Sequence, residues 1–129
     1  MSAIKILIVE DEAIVAMEIE HRLKTIGYDV CDVSSSGEKA ILLAEQHRPD
    51  IILMDIKLKG NMNGLIAAKI VKEKYFIPSV FVTANSDQNT LKQINDMLHF
   101  EYLFKPIDED QLIKAINNTV AKWHNKEII

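Results

Sequence analysis

A single cysteine, Cys31, stands in the 129-residue sequence, so the chain can form no internal disulfide and can build no zinc site of the cysteine-rich kind. A reducing cytoplasm is the expected setting. Basic blocks are missing as well. Lys plus Arg number 15 against 19 Asp plus Glu, a mildly acidic balance that suits ordinary solubility and argues against nucleic acid as a direct partner. Long apolar stretches are lacking too: the opening residues reach an apolar run of only four, Ile6 to Val9, before acids arrive. That is far too short for a signal-peptide core or a membrane span, so a soluble, uncleaved chain without membrane contact is expected. Repeats, linkers and low-complexity tracts are not found either. What remains is a length suited to one domain, which buries roughly two-thirds of its unfolded surface and needs no covalent staple.

Short apolar runs bounded by turn residues alternate with amphipathic stretches, the pattern of a parallel sheet covered by helices on both faces. The runs Ile4 to Val9, Tyr28 to Val33, Ile51 to Met54, Ser79 to Thr83 and Tyr102 to Phe104 are predicted as strands. Asp29 and Asp32 interrupt the second, which suits an edge, whereas nearly all-apolar runs suit strands buried on both faces. Val15, Ile19, Leu23 and Ile26 fall on one face of a first helix, and Gly27 ends it. Ser36 caps a second helix reaching His47, before Pro49 and Asp50 break the pattern. A third helix follows Asn63-Gly64. The fourth carries Leu91, Ile94 and Leu98 after an Asn85-Ser86-Asp87 cap region, and the last carries Leu112, Ile113, Ile116, Val120 and Trp123 after Asp108. The domain is assigned to residues 1–122, with 123–129 as a C-terminal tail or linker stub.

In an open parallel sheet, ligands collect beyond the carboxyl ends of the strands. The first strand runs into Glu10-Asp11-Glu12, the third into Asp55, the fourth ends at Thr83 and the fifth runs into Lys105-Pro106. Gathering Glu10, Asp11 and Asp55 places like charges in a partly desolvated crevice, which costs stability unless a cation intervenes. Hard oxygen donors without sulfur or imidazole beside them favour magnesium. With Thr83 and Lys105 added, the set suits phosphoryl transfer: a carboxylate nucleophile, a metal, a hydroxyl donor and a fixed ammonium. Taken singly, each residue has a plainer role, as a helix-start acid, a turn residue, a strand residue or a solvated charge. Their joint placement at four strand ends is what argues for one site.

The segments Ile-Leu-Ile-Val-Glu-Asp-Glu, Pro-Asp-Ile-Ile-Leu-Met-Asp-Ile, Val-Phe-Val-Thr-Ala and Tyr-Leu-Phe-Lys-Pro, in that order within residues 4 to 120, resemble the signature segments of response-regulator receiver domains. The resemblance implies a flavodoxin-like, doubly wound α/β fold with a five-stranded parallel sheet in the order 2-1-3-4-5 and five helices. It implies a regulatory phosphoacceptor of a two-component phosphorelay, catalysing only its own phosphorylation and slow dephosphorylation. Asp55 would take the phosphoryl group from a phosphohistidine on a sensor histidine kinase or a histidine phosphotransfer domain. Glu10, Asp11, Asp55 and the main-chain carbonyl of Lys57 would hold Mg2+, and Thr83 and Lys105 would bind the phosphoryl oxygens. The Lys105-Pro106 bond would be cis. Tyr102 matches the family's aromatic switch position: Thr83 would move toward the phosphoryl group, Tyr102 would turn inward, and the face of the fourth helix, fifth strand and fifth helix would change. That face is where a downstream protein, or a second copy in a homodimer, is expected to bind.

Three departures from the family pattern stand out. The loop from Asp55 to Gly64 is one residue longer than the common one and has Lys59 where a proline is usual, which leaves its conformation open. Glu10 in place of Asp adds a methylene, so its metal contact is either direct or through water. Lys57 and Asn85 occupy positions that in the family tune attack of water on the acyl phosphate. Among rivals, a haloacid-dehalogenase-type phosphatase needs a second Asp where Lys57 stands. A flavin- or nucleotide-binding module wants glycine-rich backbone donors where Glu10-Asp11-Glu12 lie. The main alternative is a receiver-shaped interaction module that is never phosphorylated. His21, His47, His99 and His124 lie scattered without a phosphotransfer pattern, so the donor histidine is assigned to a partner.

Overall fold

Strand and helix alternate along the chain as β1 (Lys5–Val9), α1 (Ala13–Ile26), β2 (Asp29–Ser34), α2 (Gly37–His47), β3 (Ile51–Asp55), α3 (Gly64–Tyr75), β4 (Ser79–Thr83), α4 (Gln88–Gln93), β5 (Tyr102–Phe104) and α5 (Glu109–Ile128). The computed structural model describes residues 3–84, 88–95 and 100–128. All five strands are parallel and lie in the order β2-β1-β3-β4-β5, the flavodoxin-like order implied by the resemblance. Acid-bearing β2 is at the rim and only partly buried, while β3 and β4 are buried at every position.

Local chemistry sets the element ends. Gly27 takes the left-handed conformation (φ 117°) after α1, and the N–H groups of Gly27 and Tyr28 return to the carbonyls of Lys24 and Leu23 at 3.1 and 3.0 Å. With the Tyr28 N–H engaged by the helix, β2 begins one residue later than predicted, at Asp29. It also runs one residue further, because the Ser34 carbonyl accepts from the Glu10 N–H at 2.9 Å. Side-chain oxygens of Ser36, Asn63 and Asp108 accept from the N–H groups of Lys39, Ile66 and Gln111, capping α2, α3 and α5. The Asn85-Ser86-Asp87 cap region and Leu98 lie outside the described residues. Of the remaining fourth-helix face, Leu91 is half-buried and Ile94, just beyond α4, is fully buried.

The sheet's period-2 alternation divides the core in two. Leu7, Val9, Ile52 and Met54 pack with Ala40, Leu43 and Ala44 of α2 and Ala67, Ala68 and Val71 of α3. Ile6, Ile8, Ile51 and Leu53 pack with Ile19 and Leu23 of α1 and Leu112, Ala115 and Ile116 of α5. Among the described residues, no helix is long and apolar enough to cross a membrane.

The last helix continues through Ile128, beyond the residue-122 boundary read from sequence. Trp123 ties it down: its Nε1 donates to the Phe76 carbonyl at 2.7 Å, and its ring centroid lies 4.6 Å from Phe76 and 5.6 Å from Phe100. Phe76 itself caps α3 in the left-handed region (φ 56°). Trp123→Ala is expected to remove about 2 kcal/mol of stability, below the usual cost for a fully buried tryptophan because this one is half-buried. Urea unfolding followed by circular dichroism checks the value; an unchanged midpoint would show the clamp to be idle.

Candidate functional site

Strand register brings the chemistry-bearing residues to one edge of the sheet. Val9 pairs with Met54, so the next residues, Glu10 and Asp55, arrive side by side. Asp55, the final residue of β3, pairs with Val82, which puts Thr83 one step beyond it on β4. Thr83 in turn pairs with Phe104, and the following Lys105 donates its backbone N–H to the Thr83 carbonyl at 2.9 Å. Four strand ends therefore converge as the sequence predicts. The Lys105-Pro106 bond is cis.

One carboxylate oxygen from each of Glu10, Asp11 and Asp55 lies within 4.8 Å of the others. Glu10 and Asp55 are only 3 % and 7 % exposed, and Asp11 is half-buried. Lys105 Nζ bridges the buried pair, donating to Glu10 Oε1 at 2.7 Å and to Asp55 Oδ2 at 3.2 Å. The backbone N–H of Glu12 donates to the other oxygen of Glu10 at 3.3 Å.

This crowding shifts the ionisation of the group. Burial pushes Asp55 up to about 7, helped by its hydrogen bond to Glu10 and the charge there, while Lys105 opposes the rise. Burial also acts to raise Glu10, but hydrogen bonds with Asp55, Lys105 and the Glu12 N–H outweigh it and hold Glu10 below its ordinary value. For Lys105, burial acts to lower the pKa, yet the hydrogen bond to Glu10 and the charge of Asp55 raise it overall. Crowding of the two carboxyls therefore makes ionisation of Asp55 harder than that of an ordinary aspartate. Among the described residues the three acids are matched by one ammonium, that of Lys105, and their all-oxygen donor set fits a small hard cation such as Mg2+.

The other predicted residues fall as follows. Thr83 is buried at the end of β4. Lys57 follows Asp55 by two positions and its side chain is exposed. Tyr102 is half-buried on β5, its ring edge-on to Phe104 at 5.6 Å. Asn85 lies outside the described residues. The long loop after β3 has a defined course: Lys59 forms a parallel bridge with Ser36, Gly60 takes φ 96°, and Leu58 and Met62 pack on the core. Two features escaped the sequence reading, the direct contact of Glu10 with Lys105 and the closeness of Gly64 to the Asp55 backbone. The Asn63-Gly64 pair marked a helix start, but a pattern carries no distance.

Comparison with known proteins agrees with this geometry. The response regulator receiver domain model matches residues 6–117. The transcriptional regulatory protein PdtaR of Mycobacterium tuberculosis is 34 % identical over 92 % of this chain, which spans 58 % of that protein. Protein PilH of Pseudomonas aeruginosa is 35 % identical over 91 % of the chain, which spans 98 % of it. Among solved structures, the signal receiver domain of a modulated diguanylate cyclase from Desulfovibrio desulfuricans superimposes with a TM-score of 0.90 at 33 % identity, covering 97 % of this chain and 99 % of that one. Sequence, fold and the arrangement of strand ends converge: the chain belongs to the response regulator receiver domain family.

Proposed function

We propose that the chain is a phosphorylation-controlled switch in which Asp55 takes a phosphoryl group from a phosphohistidine on a sensor histidine kinase or a histidine phosphotransfer domain. The observation that carries this reading is the buried Asp55 carboxyl, set between an ammonium and two further acids at the carboxyl edge of the sheet. In the proposed reaction an Asp55 oxygen attacks phosphorus in line as the P–N bond breaks, and the imidazole leaves with the bonding electrons. Lys105, already beside Asp55 Oδ2, is placed to pair with a phosphoryl oxygen, and Thr83 offers a hydroxyl from the neighbouring strand. Water later attacks phosphorus, the bond from phosphorus to the Asp55 oxygen breaks, and inorganic phosphate leaves as the carboxylate is restored, a slow turnover in keeping with a regulatory domain.

Glu10, Asp11, Asp55 and the Lys57 carbonyl would hold Mg2+. When bound, the ion supplies positive charge that favours the ionised nucleophile and offsets charge on the phosphoryl oxygens. Glu10 and Asp11 would keep that charge next to Asp55, and the burial of Glu10 and Asp55 limits competing water. The readout is assigned to Thr83 and Tyr102, which would reshape the α4-β5-α5 face for a downstream protein or for a homodimer. Residues 123–129 are assigned to a C-terminal tail or linker stub, of which 123–128 continue α5.

Incubation with Mg2+ and acetyl phosphate should add one phosphoryl group by intact mass, and Asp55→Asn should add none; equal labelling of both would remove Asp55 from this role. Asp11→Ala should weaken Mg2+ binding by about tenfold in a calorimetric titration, the loss of one charged ligand. The metal assignment fails if the affinity is unchanged. Asp55 ionises near 3.8 in the unfolded chain and near 7 in the folded one, so the folded state holds the extra proton between those values. The group's contribution to stability thus falls as pH rises from about 4 to about 7 and stays low above it. Asp55→Asn removes that cost, and without divalent cations its Tm should exceed the parent's by about 5 °C at pH 8 but by under about 2 °C at pH 4.5. Scanning calorimetry giving the same advantage at both pH values would contradict a raised Asp55 pKa.

A further inference from the structure

Helix α3 meets the end of β3 through one glycine. Gly64, the first residue of α3, is buried, and its N–H donates to the Ile56 carbonyl at 2.8 Å. A Cβ built on Gly64 would stand 2.0 Å from the Asp55 carbonyl oxygen, 2.9 Å from the Asp55 carbonyl carbon and 3.0 Å from Ile56 Cα. All three are main-chain atoms, so no side-chain rotation relieves the overlap. The requirement is for space: positive φ among the described glycines belongs to Gly27 and Gly60. Neither partner is free to retreat. Asp55 pairs with Val82 of β4, while Ala67, Ala68 and Val71 hold α3 against the sheet with no exposed surface. The Asn63 side chain fixes the first turn by accepting from the Ile66 N–H at 3.0 Å.

We propose that Gly64 is a positioning residue: by letting α3 touch the Asp55 peptide, it sets where the Asp55 carboxylate stands relative to Lys105, Glu10 and Asp11. This rests on the reading of Asp55 as the phosphoacceptor and deepens it. A side chain at position 64 displaces Asp55 and the start of the following loop by about 1 Å, and a misplacement of that size can cost about a hundredfold in rate. The same displacement pulls Asp55, and with it Lys57, away from the oxygen cluster.

Gly64→Ala is compared with the parent and with Val71→Ala, a core truncation about two turns along the same helix that leaves the Asp55 backbone untouched. Mg2+ affinity is read by calorimetry, and acetyl phosphate labelling at saturating Mg2+ is read as a limiting rate and a half-saturating concentration, with Tm measured alongside. Gly64→Ala is expected to lower the limiting rate by about tenfold or more and Mg2+ affinity by about fivefold, with the half-saturating concentration changed by less than about threefold. Val71→Ala, at a similar loss of Tm, should leave affinity and rate within about twofold. The proposal is overturned if the two variants behave alike, or if Gly64→Ala keeps the parent's affinity and rate. Should Gly64→Ala not fold, Asn63→Ala removes only the cap of the first turn and is expected to lower the limiting rate about threefold; an unchanged rate overturns the proposal. If the parent is not labelled at all, the phosphoacceptor reading falls, and the Mg2+ affinities alone decide the role of Gly64.

Discussion

Lys105 Nζ lies 2.7 Å from Glu10 Oε1 and 3.2 Å from Asp55 Oδ2, and this three-centre contact joins the chain just after β1, the end of β3 and the chain just after β5. Two buried carboxylates side by side are unfavourable alone. One ammonium offsets part of their repulsion, and burial with the neighbouring Glu10 charge still pushes the Asp55 carboxyl above its ordinary value. The three acids and the ammonium thus form one electrostatic unit at the carboxyl edge of the sheet. Much of the architecture serves this contact, because a central strand flanked on both sides by parallel partners is the stiffest place in the sheet to mount Asp55.

Stiffness around Asp55 comes from apolar burial. β3 is buried along its whole length, with alternate side chains in two separate core clusters, so it cannot slide without exposing one set or the other. β2 does different work at the rim, where its carbonyl at Ser34 anchors the Glu10 backbone while its acids face outward. On the far side, α3 presses its first turn onto the Asp55 peptide, and the loop between them is tied to the start of α2 through the Lys59 and Ser36 bridge. The extra residue in that loop is accommodated by Gly60 in the left-handed region, while Leu58 and Met62 anchor its two arms on the core.

Away from the site, the aromatic contacts of Trp123 with Phe76 and Phe100 fasten the later turns of α5 to the body. Phe100 also stands 6.2 Å from Phe81, the residue paired with Tyr102 across β4 and β5. Packing is therefore continuous from the strands β4 and β5 to Trp123 on α5. Continuity of this kind describes a scaffold; it does not by itself define a route for signal.

Strand positions, the rim place of β2 and the residue types at four strand ends were all legible in the sequence, because periodicity and turn residues are local properties. The two strands predicted end for end, β4 and β5, are bounded by residues whose side chains mark the limits. β2 moved by one residue because the end of α1 and the backbone of Glu10 claimed its terminal groups. The course of the loop after Asp55, the continuation of α5 past Lys122, the closeness of Gly64 to Asp55 and the upward shift of the Asp55 pKa were decided only by the tertiary structure. Each depends on distances between groups remote in the chain: Lys105 meets a carboxylate 95 positions away and another 50 positions away. A pattern of residue types sets which groups can converge, but only packing sets how closely they do so, and ionisation follows the distance.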